Sequence, residues 1–193
     1  MLRSDRVNIK ELVKDAHENA KDKGWHDEDR TFGELIALCH AELSEALEEF
    51  RKGKRLTEGY YKCEGDYSKC NAKCSECKTA KPEGIPIELA DVIIRIADMC
   101  GKYGIDAEEI DLEKVELGEI PTFGDFIAAM HYSLSHSYFV GESMIRTGCV
   151  GLLTTITLIE CYCKDNGIDL DEAIKIKMEY NKSRSHKHGG KVL

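Results

Sequence analysis

With 193 residues, a net charge of −9 and 33% charged residues, the chain is long enough for one compact domain with a sizeable core. Its acidic balance speaks against a general binder of nucleic acid polymers or of anionic membrane surfaces. No apolar run is long enough to span a bilayer and Met1-Leu-Arg-Ser-Asp does not read as a signal peptide, so the expectation is no membrane partner and a cytoplasmic location.

The periodicity predicts an all-α fold. Ser4 can cap a first helix over about Asp5–Lys23, with Val7, Ile9, Leu12, Val13, Ala16 and Ala20 on one face and Gly24 as its stop. His17, at the edge of that face, and Trp25, the only tryptophan, are candidate substrate contacts; a packed histidine and a core or lid tryptophan are the competing readings. A second helix runs from about Thr31 to Arg51. Its apolar residues, among them Leu35, Ile36, Cys39, Leu43, Ala46 and Leu47, share one arc at about 100° per residue. Glu42 projects inside that arc, Glu49 lies beside it and Glu45 at its edge. A carboxylate on a buried stripe is unfavourable unless it is paired or metal-bound.

Residues 54–84 are polar and hold Cys63, Cys70, Cys74 and Cys77, spaced Cys-x6-Cys-x3-Cys-x2-Cys. Four thiols so close together suit an inserted module around a structural Zn²⁺, with an iron–sulfur cluster or free thiols as alternatives. A third helix, about Ile87–Lys102, is apolar over most of its circumference, with Glu88, Asp91, Arg95 and Asp98 in one narrow strip. Glu42-Leu-Ser-Glu45 and Glu88-Leu-Ala-Asp91 each put two carboxylates on one helix face. Packed side by side, these helices would offer four hard oxygen donors, a cage for Mg²⁺ or Mn²⁺. The acidic stretch 105–121 reads as a connector; helices then follow over about Thr122–Val140, Cys149–Asn166 and Leu170–Ser183, and a basic tail, Ser185–Leu193, reads as mobile unless a ligand orders it.

The segment Thr31–Ser44 recurs as Thr122–Ser135, with eight of fourteen positions identical at an offset of 91, and Gly104-Ile-Asp recurs as Gly167-Ile-Asp at an offset of 63. The offsets differ by 28 residues, about the length of the cysteine segment. Residues 122–169 therefore read as a second copy of the helical pair without the insert. In this alignment Glu42, Glu45, Glu88 and Asp91 correspond to Ser133, His136, Gly151 and Thr154, so the second copy has lost all four acids.

These features resemble the MazG-like, all-α nucleoside triphosphate pyrophosphohydrolases. The resemblance rests on Glu-x-x-Glu in His40–Arg51, Glu-x-x-Asp in Pro86–Arg95, and the ending Lys177-Met-Glu-Tyr-Asn181-Lys-Ser-Arg184 followed by His188-Gly-Gly-Lys191. It implies one domain over residues 1–193 with a four-helix-bundle core, extra helices and the cysteine-rich insert. It implies hydrolysis of a nucleoside triphosphate to the monophosphate and pyrophosphate, with Mg²⁺ at Glu42, Glu45, Glu88 and Asp91. It also places the helix of Lys177, Asn181 and Arg184 at the phosphate end. Glu45 or Glu49 would accept the proton of the attacking water. Ala41 stands where some relatives carry a further Glu. The simplest relatives are single units that pair as dimers, whereas an internal second unit resembles the dUTP- and dCTP-hydrolysing members; a homo-oligomer stays open. A carboxylate-bridged di-iron bundle is disfavoured, since no histidine lies three residues after a glutamate. A non-catalytic nucleotide-sensing or interaction protein on the same bundle is the alternative function.

Overall fold

The computed structural model describes residues 8–63, 80–105, 118, 120–141 and 143–187. Six helices carry the fold, α1 (Ile9–Asp22), α2 (Phe32–Arg51), α3 (Ile85–Lys102), α4 (Phe123–Gly141), α5 (Ile145–Asp165) and α6 (Leu170–Ser183), with a hairpin of β1 (Tyr60–Cys63) and β2 (Ala80–Glu83) between α2 and α3. The chain is thus mostly helical, as its periodicity implies. Among the described residues no helix is long and apolar enough to cross a membrane.

Helices α2, α3, α5 and α4 contact one another in a closed ring, and α1 and α6 pack on the outer side of α3. This leaves α3 covered on nearly every side, which its sequence requires: thirteen of its residues are buried, including Leu89, Ile93, Ile96 and Met99. Burying each such side chain contributes about 1.5–3 kcal/mol relative to leaving it in water. Cys39, Cys100, Cys149 and Cys163 occupy apolar helical positions and are buried in the core, whereas Cys161 is only partly covered.

The two helical pairs begin and end alike. Thr31 Oγ1 accepts from the Glu34 amide at 3.2 Å and Thr122 Oγ1 from the Asp125 amide at 3.1 Å. At the other end, the Ile105 amide donates to the Cys100 carbonyl at 2.9 Å and the Ile168 amide to the Cys163 carbonyl at 2.8 Å. Gly104 (φ +63°) and Gly167 (φ +67°) supply the left-handed residue these helix stops need. Between the pairs, α2 and α4 touch reciprocally. His40 stacks on His131, its equivalent at the offset of 91, with ring centroids 5.0 Å apart. The Phe50 ring meets Phe123, and in the mirrored contact Phe32 lies against Gly141. A residue that touches its own equivalent marks a local pseudo-twofold axis.

Several boundaries differ from the sequence reading. The first described helix starts at Ile9, capped by Asn8, whose side chain accepts from the Glu11 amide at 3.2 Å; Ser4 lies outside the described residues. Helix α3 starts two residues earlier than expected, with Pro86 inside its first turn, where its missing N–H is no loss. Helix α5 starts a turn earlier, at Ile145, a start masked in sequence by Gly148 and Gly151. Within residues 54–84 the described residues form a hairpin that the sequence reading did not assign: Tyr60 pairs with Glu83 and Cys63 with Ala80. Tyr60 and Tyr61 favour extended backbone, and Pro82 is tolerated because both strands are edges. The tail is also corrected in part. His186 bonds Asp27 Oδ2 at 3.0 Å, Lys187 Nζ donates to Glu28 at 2.9 Å, and the Lys187 amide donates to the Lys23 carbonyl at 2.8 Å. Residues 106–117 and 188–193 lie outside the described residues.

Candidate functional site

A cavity of about 150 Å³ opens between α1, α2, α3, β2 and α6. The acidic motifs reach it because α2 and α3 pack side by side and each motif repeats at helical spacing. Glu42 is 6% and Glu88 1% exposed, while Glu45 stands exposed at the rim. One carboxylate oxygen from each of the three lies within 4.8 Å of the others. Glu88 sits in the first turn of α3, where the helix dipole favours an anion, yet its Oε2 is buried without any hydrogen-bond partner. Burial pushes the Glu88 carboxyl up to about 8, and the nearby acids add to this. Burial, then the Asp91 charge, also raises the Glu42 carboxyl, although Arg95 opposes both.

Asp91, expected as the fourth member of the cage, is held differently. Lys177 Nζ lies 2.8 Å from Asp91 Oδ2, and the two side chains are only 3% and 13% exposed. Burial alone would raise the Asp91 carboxyl, but the Lys177 ammonium and then Arg95 hold it below the ordinary range. Helix α6 packs on α3, and this contact is what carries Lys177 to the site. Arg95 plays the matching part for Glu42: its Nε donates to Oε1 at 2.8 Å and its Nη2 at 2.6 Å. The cavity lining sets five acids, Glu42, Glu45, Glu88, Asp91 and Asp98, beside five basic residues, Arg30, Lys81, Arg95, Lys177 and Arg184.

The remaining sequence-derived candidates divide. Trp25, Asn181 and Arg184 line the cavity with Lys177. Glu49 does not: it is 3% exposed beneath the hairpin, where Tyr60 Oη donates to it at 2.9 Å and Lys52 Nζ at 2.8 Å. Burial and that bond push the Tyr60 phenol up to about 12. His17 is bonded to Asp98, at 2.8 Å, rather than facing the cavity. Cys63 ends β1 and is buried; Cys70, Cys74 and Cys77 lie outside the described residues, and with them the expected zinc site.

Sequence reasoning missed Lys81, which the hairpin delivers to the cavity, and Arg30, whose Nη1 donates to the Trp25 carbonyl at 2.6 Å. It gave Arg95 no role, although its position four residues after Asp91 in the polar strip was a usable signal. At the equivalent place in the α4/α5 pair, Ser133 and Thr155 hydroxyls bond each other at 2.7 Å, and a Cβ on Gly151 would lie 2.6 Å from Ser137 Oγ. That region is filled, with no space for a carboxylate at residue 151. Comparison with family models, with curated proteins and with solved structures finds no match for the chain.

Proposed function

We propose that the chain is a Mg²⁺- or Mn²⁺-dependent nucleoside triphosphate pyrophosphohydrolase of MazG-like type, cleaving between the α- and β-phosphates. The convergence of Glu42, Glu45 and Glu88 carboxylates within 4.8 Å carries this reading. The residues fit a hard divalent cation: all donors are oxygens, and Glu88 Oε2 is a buried acceptor with nothing to accept from. Glu42, Glu45 and Glu88 would hold the ion, with Asp91 joining once Lys177 moves to the substrate. When bound, the ion would neutralise phosphate oxygens and acidify a bound water.

The chain's own groups supply the rest. Glu45, exposed at the rim, accepts the proton of the attacking water. Lys177 and Arg184, joined by Lys81, bind the anionic phosphates and the departing pyrophosphate. Trp25, Leu35, Leu38, Ile94 and Met99 give the cavity an apolar wall suited to a base. Arg95 and Lys177 act as internal counter-ions that keep the buried acids paired until substrate arrives.

A non-catalytic nucleotide sensor is favoured by one observation, that Glu42 and Asp91 are already ion-paired. Incubation with Mg²⁺ and a panel of ribo- and deoxynucleoside triphosphates, canonical and modified, separates the readings. The expected products are a monophosphate and pyrophosphate; orthophosphate from the γ position refutes the mechanism, and binding without turnover establishes the sensor.

A further inference from the structure

We infer that His17, His26 and Asp98 form a second cation site, suited to a divalent transition metal such as Zn²⁺, at the edge of the cavity that Asp98 lines and distinct from the Glu42/Glu45/Glu88 cluster. The inference does not rest on the proposed reaction.

His17 Nδ1 and His26 Nε2 each lie 2.8 Å from the same atom, Asp98 Oδ1. All three ligand atoms are within 4.8 Å of one another. They come from three parts of the chain: α1, the connection after it, and α3. The two imidazoles meet edge to face, with centroids 4.7 Å apart and planes at 72°, so their nitrogens point to one place without the rings stacking. The approach is built into the backbone. A Cβ on Gly101, one turn after Asp98, would lie 2.5 Å from His17 Cβ, so a residue with no side chain at 101 is what lets His17 lie across α3.

The charge pattern points the same way. Glu42 and Asp91 are each matched by a cationic side chain, Arg95 or Lys177. Among the described residues no lysine or arginine pairs with Asp98; its partners are the two imidazoles alone. In the metal-free chain each imidazole donates one N–H to Asp98 Oδ1. A metal ion bound there would take the lone pair of each of these ring nitrogens, with the proton carried instead on the ring's other nitrogen.

The donor set decides which cation. Two imidazole nitrogens and one carboxylate suit Zn²⁺ or Co²⁺ and suit Mg²⁺ poorly. Three protein ligands, with side chains 23%, 18% and 17% exposed, leave a coordination position open to solvent or ligand. Asp98 follows Asp91 by seven residues on the same face of α3, about 10 Å along the helix. The molecule would therefore hold a hard-cation cluster and a borderline-cation site on one helix.

The test uses the full chain stripped of metal, with Mg²⁺ in excess to occupy the oxygen-only cluster. Co²⁺ is titrated in while the histidine ring resonances are followed by NMR. The rings of His17 and His26 should broaden ahead of those of His40, His131 and His136, and Zn²⁺ should restore them. In parallel, His26→Gln should carry one equivalent less tightly bound Zn²⁺ than the parent chain, with unchanged helical circular dichroism. His17 and His26 rings that stay sharp through several equivalents of Co²⁺, or broaden only after His40 and His131, would overturn the site and leave the trio as a packed hydrogen-bond cluster. Equal zinc content in a folded His26→Gln chain would overturn it as well.

Discussion

In the α2/α3 half, Glu42 and Glu88 are buried beside a cavity and need Arg95 or a cation to be tolerated. At the corresponding places of the α4/α5 half stand Ser133 and Gly151, and the space is closed by short hydroxyl contacts such as Ser133 to Thr155. The caps, the glycine stops and the stacked His40–His131 pair are shared. The difference teaches that a helical frame needs only its apolar face and its stops; buried acids are an added burden that must be offset by counter-ions. Once no cation binds, replacing the acids by small residues lets the helices approach and seals the interior.

The comparison can be broken most decisively at the acids. Glu42→Gln should lower pyrophosphate release by about a hundredfold or more, in line with the loss of a metal-site or transition-state contact. Ser133→Ala at the matching position should leave turnover unchanged; equal losses would refute the assignment of one working half. Next in size is the α6 anchor. Lys177→Met strands Asp91 as a buried, unpaired charge and should cost about 3–5 kcal/mol of stability. Denaturant titration reads this, and adding Asp91→Asn should recover much of the loss.

A smaller effect is expected in the closed half. Gly151→Ala places a methyl against Ser137 Oγ and should cost about 1 kcal/mol, the low end for overpacking, because a serine rotor can give way. Ser137→Ala in the same chain should relieve it. The smallest effect concerns the axis between the halves. His40 and His131 place their Nδ1 atoms 2.7 Å apart, so one ring donates and the other accepts. Burial lowers the His40 ring from its ordinary value, with His131 adding to this, and burial lowers His131. The folded chain thus resists protonation that the unfolded chain accepts. The pair's contribution is complete above about pH 6.5, the ordinary histidine value, and is lost as pH falls below it. Thermal melts of His131→Gln should show a shallower decline over that range.

The helices and the buried placement of Glu42 were legible because apolar spacing and carboxylate spacing both follow the helical repeat. The polar strip of α3 was legible for the same reason. Lys81 was not, since a residue in a two-stranded hairpin carries no helical period and its cross-strand partner is the distant Lys62. Nor was the diversion of Asp91, because spacing places a carboxylate on a face but cannot say that Lys177, remote in sequence, will reach it first. Glu49 read as a site residue for want of Tyr60: only the hairpin reveals that it is already satisfied.

The link between the two ends of the chain also bears on the order of assembly. Lys23 Nζ donates to the Lys182 and Arg184 carbonyls, and Lys187 returns to Lys23 and Glu28, across about 160 residues of chain. Contacts so distant in sequence form late, because the closing loop must be immobilised before they can reward it. During synthesis the α2/α3 pair emerges long before α6, so Asp91 spends that interval without its lysine and the cavity without one wall. A ribosome-bound chain lacking α6 should therefore be helical but unable to retain nucleotide, and ligand capture should appear only when the last helix has docked.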